Sequence, residues 1–298
     1  MSKHRLGAIF VLGAAILWST AGLFMGFLQQ LDAWTILFWR SAFGTIFVGV
    51  AALASLGATP RLASPGYSWL AATVCSTLAM VAFIPALRLT SVANVAMIHA
   101  SLPILSALAA AVGLRERPSR ATLYFSVLAL IGTAVIFLGS VGQSSNQFGN
   151  LLAFLMTASL AVMTAALRTH KGSVLSIVAA SNAAAAAVAL CLSPGVYLDV
   201  TQASILALFA LLQMALGLAL YSKGASLLPS ADAALLSLIE VPLSPLWVWL
   251  AFDHPPSGPS VLGGLITGAA AAGSIVTRLW RGQEDETRRE DSVPAESS

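Results

Sequence analysis

Apolar residues run through this chain in ten blocks of about 20, separated by short polar turns. Each block is long enough to cross the roughly 30 Å hydrocarbon core of a bilayer as a helix. The blocks fall at 6–28, 33–56, 67–89, 92–113, 120–139, 148–168, 174–192, 204–225, 230–251 and 258–280. Apolar positions within them are continuous rather than alternating, which selects helices over a barrel. Turn chemistry marks the gaps: Thr59-Pro60, Ser64-Pro65-Gly66, the polar stretch Gly142 to Asn146, Ser193-Pro194-Gly195, and Pro255 to Pro259. The gaps leave no room for a domain outside the membrane, so function resides among the helices.

The second five blocks repeat the first five. Ala86 to Leu105 (ALRLTSVANVAMIHASLPIL) aligns with Ala225 to Ser244 (ASLLPSADAALLSLIEVPLS) at an offset of 139. That register puts Ser91 on Ser230, Pro103 on Pro242, and Pro85 on Gly224. Because five is odd, the second copy enters the membrane facing the opposite way, the arrangement from which many secondary transporters build two gates around one site. The pattern predicts an all-α polytopic membrane protein of ten transmembrane helices in two inverted five-helix repeats, 1–142 and 143–280, with a disordered cytoplasmic tail at 281–298.

Composition and charge agree with that picture and orient it. Hydrophobic residues make up 58% of the chain and charged ones 9%, against roughly 25% charged in a soluble domain. A net charge of +3 implies no nucleic-acid partner and reflects loop bias. With the N-terminus inside, Lys3, Arg5, Arg61, Arg115, Arg117, Arg120, Arg168, Lys171, Arg278 and Arg281 fall on the cytoplasmic side, with Lys223 close to it. The opposite face carries Arg88 beside Asp32, Asp199 and Asp253. Both termini are therefore expected in the cytoplasm. Lys3-His4-Arg5 and the apolar run behind it imitate a signal peptide, but the run reaches Leu28, too far for a signal core; it reads as a retained first span. Gly22-x-x-x-Gly26 and Gly264-x-x-x-Gly268 are surfaces where helix backbones approach closely, and the Ala-rich stretch 183–187 reads the same way.

Candidate chemistry is sparse. The chain has no G-x-x-x-x-G-K-[ST], no H-E-x-x-H and no His/Cys cluster, so neither an ATP-binding loop nor a metal or cofactor site is expected. Cys75 and Cys191 read as core side chains. An ionisable residue at membrane depth costs about 2.5–3.5 kcal/mol on insertion scales and is a functional candidate by default. Glu240 in the ninth block and His99 in the fourth occupy one layer, since the repeat offset sets Glu240 opposite Ser101 and His99 opposite Leu238. They would form a polar floor for a substrate, a proton-sensitive pair, or hydrogen bonds that hold the bundle. Arg40, about seven residues into the second block, would snorkel outward, bridge helix backbones, or contact an anionic group. Pro85, Pro103, Pro242 and Pro245 each free a carbonyl within a span, and matched helix interruptions in two halves point to a transporter site. Trp18, Met80, Phe83, Met97, Met163, Met214 and Tyr221 on these helices would suit a largely apolar cavity. Of Trp247 and Trp249, near the end of the ninth block, at least one reads as an interfacial anchor.

At these residues the chain resembles the drug/metabolite transporter superfamily, specifically its ten-helix EamA-type members and their aromatic amino-acid exporters. The resemblance rests on Leu17-Trp18-Ser19-Thr20, Phe38-Trp39-Arg40, Ala86-Leu87 through Leu102-Pro103, Leu114-Arg115-Glu116-Arg117-Pro118, Leu238-Ile239-Glu240 and Pro245-Leu246-Trp247-Val248-Trp249. One departure is Asp253-His254, where the family often has a second Gly-Glu pair, so no symmetric gating role is assigned to Glu116. The resemblance implies a multi-pass protein of the bacterial inner membrane that exports small metabolites, with amino acids among its substrate classes and no cofactor. The expected cavity-lining set is Trp18, Met80, Phe83, His99, Pro103, Met163, Met214, Tyr221 and Glu240. A facilitator or channel for small metabolites is the alternative, although the spans offer no continuous polar pore; an intramembrane enzyme lacks any catalytic constellation. The lipid bilayer and a small-molecule substrate are the expected partners, and the sequence is silent on oligomeric state.

Overall fold

The computed structural model describes residues 3–54, 66–90, 92–115, 118–138, 146–253 and 258–291. The turns expected at 59–65, 142–145 and 255–257, the residues Arg61, Ser91, Glu116 and Arg117, and the tail from 292 lie outside the described residues.

The described chain is entirely helical and polytopic, and nine of its helical stretches are long and apolar enough to cross a membrane. Six expected spans are single rods or nearly so: α3 (Ala33–Ala54), α4 (Tyr67–Leu89), α7 (Arg120–Leu138), α8 (Gln147–Thr169), α9 (Val174–Leu192) and α14 (Gly258–Asp291). Among the described residues the apolar part of α14 covers Val261–Ser274. The remaining four spans are interrupted. The first is α1 (Lys3–Trp18) and α2 (Ala21–Phe27); the fourth is α5 (Val92–His99) and α6 (Leu102–Leu114). The eighth is α10 (Val200–Phe209) and α11 (Leu218–Ala225) joined by a π-helical segment, Ala210–Gly217; the ninth is α12 (Ser230–Ser237) and α13 (Glu240–Phe252).

Each break has a local cause. Ser19 and Thr20 turn their hydroxyls back onto the carbonyls of Ile16 and Leu17, at 2.7 and 2.6 Å, competing with the helix ladder. Pro103 sits in the first turn of α6 and Pro242 in the first turn of α13. A proline lacks the N–H and crowds the carbonyl four residues back, so the chain tightens at 100–101 and at 238–239. Pro85 and Pro245, by contrast, lie within continuous helices, and Gly224 does not break α11 but brings it against α1, where a Cβ would meet the Gly7 carbonyl at 2.8 Å. Helix starts are capped: Asp32 accepts from the N–H of Trp34 at 2.8 Å, Asn146 from Phe148 at 2.9 Å, and Asp199 forms a capping box with Gln202.

The two interrupted spans with proline match element for element. α12 and α13 start 138 residues after α5 and α6, Ser230 against Val92 and Glu240 against Leu102. This is one less than the offset read from the sequence. Both α6 and α13 end in a residue with left-handed backbone, Arg115 (φ 56°) and Asp253 (φ 54°). The main packing partners are α4 with α8, α7 with α14, α3 with α9, α1 with α11, α6 with α8, and α6 with α12. Exchanging the first five spans for the last five maps these pairs onto one another except α6 with α8, whose counterpart, α1 with α12 and α13, is weaker.

The stretch 281–291, expected to be disordered, is the continuation of α14. Extending an existing helix skips the nucleation cost.

Candidate functional site

Most of the interrupted spans converge on one cavity of about 790 Å³, within the range typical of small-molecule pockets. Its lining runs from residues at the breaks, among them Trp18, His99, Gln213 and Glu240, to Gln29, Arg88 and Phe252 at or next to the ends of α2, α4 and α13. The wall is mainly apolar, and seven of the nine residues expected to line it do so: Trp18, Met80, Phe83, His99, Met163, Met214 and Glu240. Pro103 and Tyr221 do not. Pro103 is buried in the first turn of α6, shaping the break behind His99. Tyr221 is fully buried behind the wall, where its ring lies 4.9 Å from that of Trp18 and its hydroxyl shares a 2.8 Å hydrogen bond with Thr164.

The polar floor is a close imidazole–carboxyl contact. His99 is the last residue of α5 and Glu240 the first of α13, so each sits at the lip of a break, and the imidazole Nε2 stands 2.9 Å from Glu240 Oε1. Their side chains are 9% and 18% exposed, and His99 Nδ1 has no partner. The two residues expected in one layer are in direct contact, from α5 to α13.

A second polar feature had no sequence signal. Gln213, buried in the π-helical segment, donates to the carbonyls of Trp18 at 3.0 Å and Leu17 at 3.4 Å, and the Trp18 indole N–H donates to the Gln213 carbonyl at 3.1 Å. These bonds satisfy carbonyls released by the break between α1 and α2. The approach demands a glycine at 217, where a Cβ would lie 2.6 Å from the Trp18 indole nitrogen. π-Helical turns are common at functional sites because they reposition one side chain within a helix; this one aims Gln213 at Trp18. Trp247 closes the same region from α13 by donating to Ser19 Oγ at 2.7 Å, while Trp249 is exposed, as an interfacial residue would be. At the mouth, Arg88 donates to the carbonyls of Leu28, Gln29 and Leu31 at 2.8, 3.2 and 2.7 Å and ties α4 to the end of α2.

Arg40 also borders the cavity. It is fully buried and none of its three guanidinium nitrogens has a hydrogen-bond partner. It neither snorkels to an interface nor bridges backbones. Its guanidinium lies against two aromatic rings, 5.7 Å from the centroid of Phe83 and 5.1 Å from that of Phe209.

The glycine pairs expected at helix contacts grip α13 from two sides. A Cβ at Gly22 would meet Ser244 at 3.3 Å and one at Gly26 would meet the Phe252 ring at 2.6 Å; from α14, one at Gly264 would meet Pro242 at 3.2 Å. Among the described residues no group of three His, Cys, Asp or Glu side chains could hold a metal ion. Cys75 and Cys191 are free thiols; Cys191 is exposed rather than in the core.

Compared with known proteins, residues 5–138 match the model of the EamA-like transporter family. No curated protein matches the chain. Chains of solved structures do, 29 in number; one crystal structure aligns with a TM-score of 0.74 at 23% identity over 92% of this chain and 98% of its own, which establishes a shared fold.

Proposed function

With the match over residues 5–138 making this chain a member of the drug/metabolite transporter superfamily, whose EamA-like proteins are membrane transporters of small molecules, we propose that it exports amino acids or related small metabolites by alternating access. Residues 1–142 and 143–280 act as two inverted five-helix units around the cavity. The observation that supports this most is the cavity itself, built at matched interruptions of repeat-partner spans and floored by the His99–Glu240 contact. Such breaks place polar groups near the membrane midplane without exposing backbone to lipid.

The positive-inside bias sets the cytoplasmic side in this reading, with both termini there and the bacterial inner membrane as the location. The cavity then opens to the outside in this reading, because its lining includes Gln29, Arg88 and Phe252, which lie at or next to helix ends on that face. The conformation is the outward-open member of a cycle, and rocking one bundle against the other would open the site inward. An apolar wall of Trp18, Met80, Phe83, Met163 and Met214 favours a hydrophobic or aromatic side chain on the substrate, with His99 and Glu240 at its polar end. A ligand shifts the two states only through differential affinity for them, so the site must bind more tightly in one than the other.

The test is counterflow in proteoliposomes. Vesicles loaded with an unlabelled amino acid should accumulate the labelled form saturably, with phenylalanine, tryptophan and leucine ahead of aspartate or lysine. No saturable flux for any apolar or aromatic amino acid overturns the substrate assignment. Flux that does not saturate and shows no counterflow favours a channel over a transporter.

A further inference from the structure

Resting on the transporter reading, we propose that Arg40 is the carboxylate anchor of the site, so that the molecules this protein binds carry a single carboxylate beside their apolar part. Three observations converge. The guanidinium is fully buried, its nitrogens lack any hydrogen-bond partner, and Arg40 is among the residues that line the cavity. An arginine keeps its charge at every physiological pH and presents five N–H donors in one plane. Aromatic contacts satisfy only its faces; with Phe83 and Phe209 over it, the edge donors stay unspent. An edge of parallel N–H groups is the complement of a carboxylate, which takes two of them at once.

The two rings differ in how freely they move. Phe209 is fully buried and stacks on Phe24 at 4.7 Å. Phe83 is partly exposed and lines the cavity, so it is the ring that an arriving carboxylate displaces, leaving it to pack against the substrate's apolar part. One unpaired cation calls for one negative charge. A phosphate ester would bring nearly two charges and a tighter hydration shell into a wall whose other arginine, Arg88, already spends donors on three backbone carbonyls at the mouth, so a monocarboxylate is the better match.

The experiment compares 3-phenylpropionate with its near-isosteric neutral amide, 3-phenylpropanamide, by ligand-induced thermal stabilisation and by Trp fluorescence of the detergent-solubilised protein. A charged hydrogen-bond pair in a water-poor site corresponds to about 10- to 100-fold in affinity. The acid should therefore bind about that much more tightly than the amide to the wild-type protein. Arg40→Gln should collapse the ratio to near unity, and Arg40→Lys should retain part of the preference, since an ammonium supplies charge without the planar fork. Equal binding of acid and amide by the wild type overturns the proposal, as does a ratio that survives in Arg40→Gln. The wild-type ratio requires no variant, so a failure of Arg40→Gln to fold does not remove the decision. The readout is also independent of transport: absent amino-acid flux with a preserved acid preference refutes the transport assignment alone, while flux without acid preference refutes the anchor alone.

Discussion

Removing Glu240 should destabilise the protein in a way that removing both members of its contact does not. The imidazole of His99 has one partner, Glu240 Oε1 at 2.9 Å, and its other nitrogen has none. Glu240→Ala therefore strands a largely buried ring with no hydrogen bond, which costs about 1–3 kcal/mol. At roughly 2–4 °C per kcal/mol for a chain of this order of size, the melting temperature should fall by about 4–8 °C for a loss near 2 kcal/mol. Glu240→Gln keeps an acceptor in place and should lose about 1 kcal/mol or less. The double substitution His99→Ala/Glu240→Ala removes donor and acceptor together, so its loss should be smaller than the sum of the single losses by about 1–2 kcal/mol. The assay is thermal unfolding followed by Trp fluorescence, with detergent, protein concentration and scan rate held fixed because such transitions depend on them. Additive single effects, or equal melting temperatures for Glu240→Ala and Glu240→Gln, would falsify the claim that the two residues form one energetic unit.

Other expectations follow from separate contacts. Gln213→Leu removes both donors to the Leu17 and Trp18 carbonyls and should lower stability by about 1–3 kcal/mol while shifting Trp18 emission; an unchanged spectrum and melting curve would count against the clasp. Gly26→Val places a branched side chain where a Cβ alone approaches the Phe252 ring to 2.6 Å, so α2 and α13 must separate, at about 1–3 kcal/mol, and counterflow should fall far more than expression. In intact cells, an impermeant thiol reagent should label Ser145→Cys and leave Ser2→Cys and Ser297→Cys unmodified in a background lacking Cys75 and Cys191; external labelling of Ser2→Cys reverses the proposed orientation.

Much of the bundle was legible because bilayer physics writes itself into composition: a span must be apolar over its full length, so block boundaries survive as element boundaries to within a few residues. The breaks at Pro103 and Pro242 were legible for the same local reason, since a missing N–H is a property of one residue. The features that escaped depend on residues far apart in sequence. Gln213 is aimed at Trp18, 195 positions away, by a π-helical segment whose fit requires Gly217, and nothing within that helix announces either. Tyr221 sits one layer behind Trp18 rather than in the wall, a distinction of depth that residue type cannot carry. Arg40 was visible as a cation within a span, but its lack of any partner is a property of the assembled core. The continuation of α14 past residue 280 leaves no hydrophobic signal, because a helix already formed extends readily through a polar stretch.

In the proposed cycle, binding and movement meet in α13. Its first residue, Glu240, holds His99 across the break, while Ser244, Pro245 and Val248 line the cavity above it. Its flanks face Gly22 and Gly26 on one helix and Gly264 on another, and glycine surfaces present few side chains to interlock, so the barrier to sliding is low where interdigitated packing would resist it. A helix that carries part of the binding surface, is hinged at 238–239, and is bordered by smooth backbone can tilt as a unit without unpacking its neighbours. Tilting moves Glu240 relative to His99, which couples the contents of the cavity to the geometry of the bundle. That coupling gives the His99–Glu240 contact a place in the cycle beyond stability: Ile239→Pro, which locks φ near its present −59° and removes the Ile239 N–H bond to the Leu236 carbonyl at 3.4 Å, should, tested beside Glu240→Gln, bind 3-phenylpropionate yet lose counterflow. If Ile239→Pro transports at the wild-type rate, α13 is not the moving part.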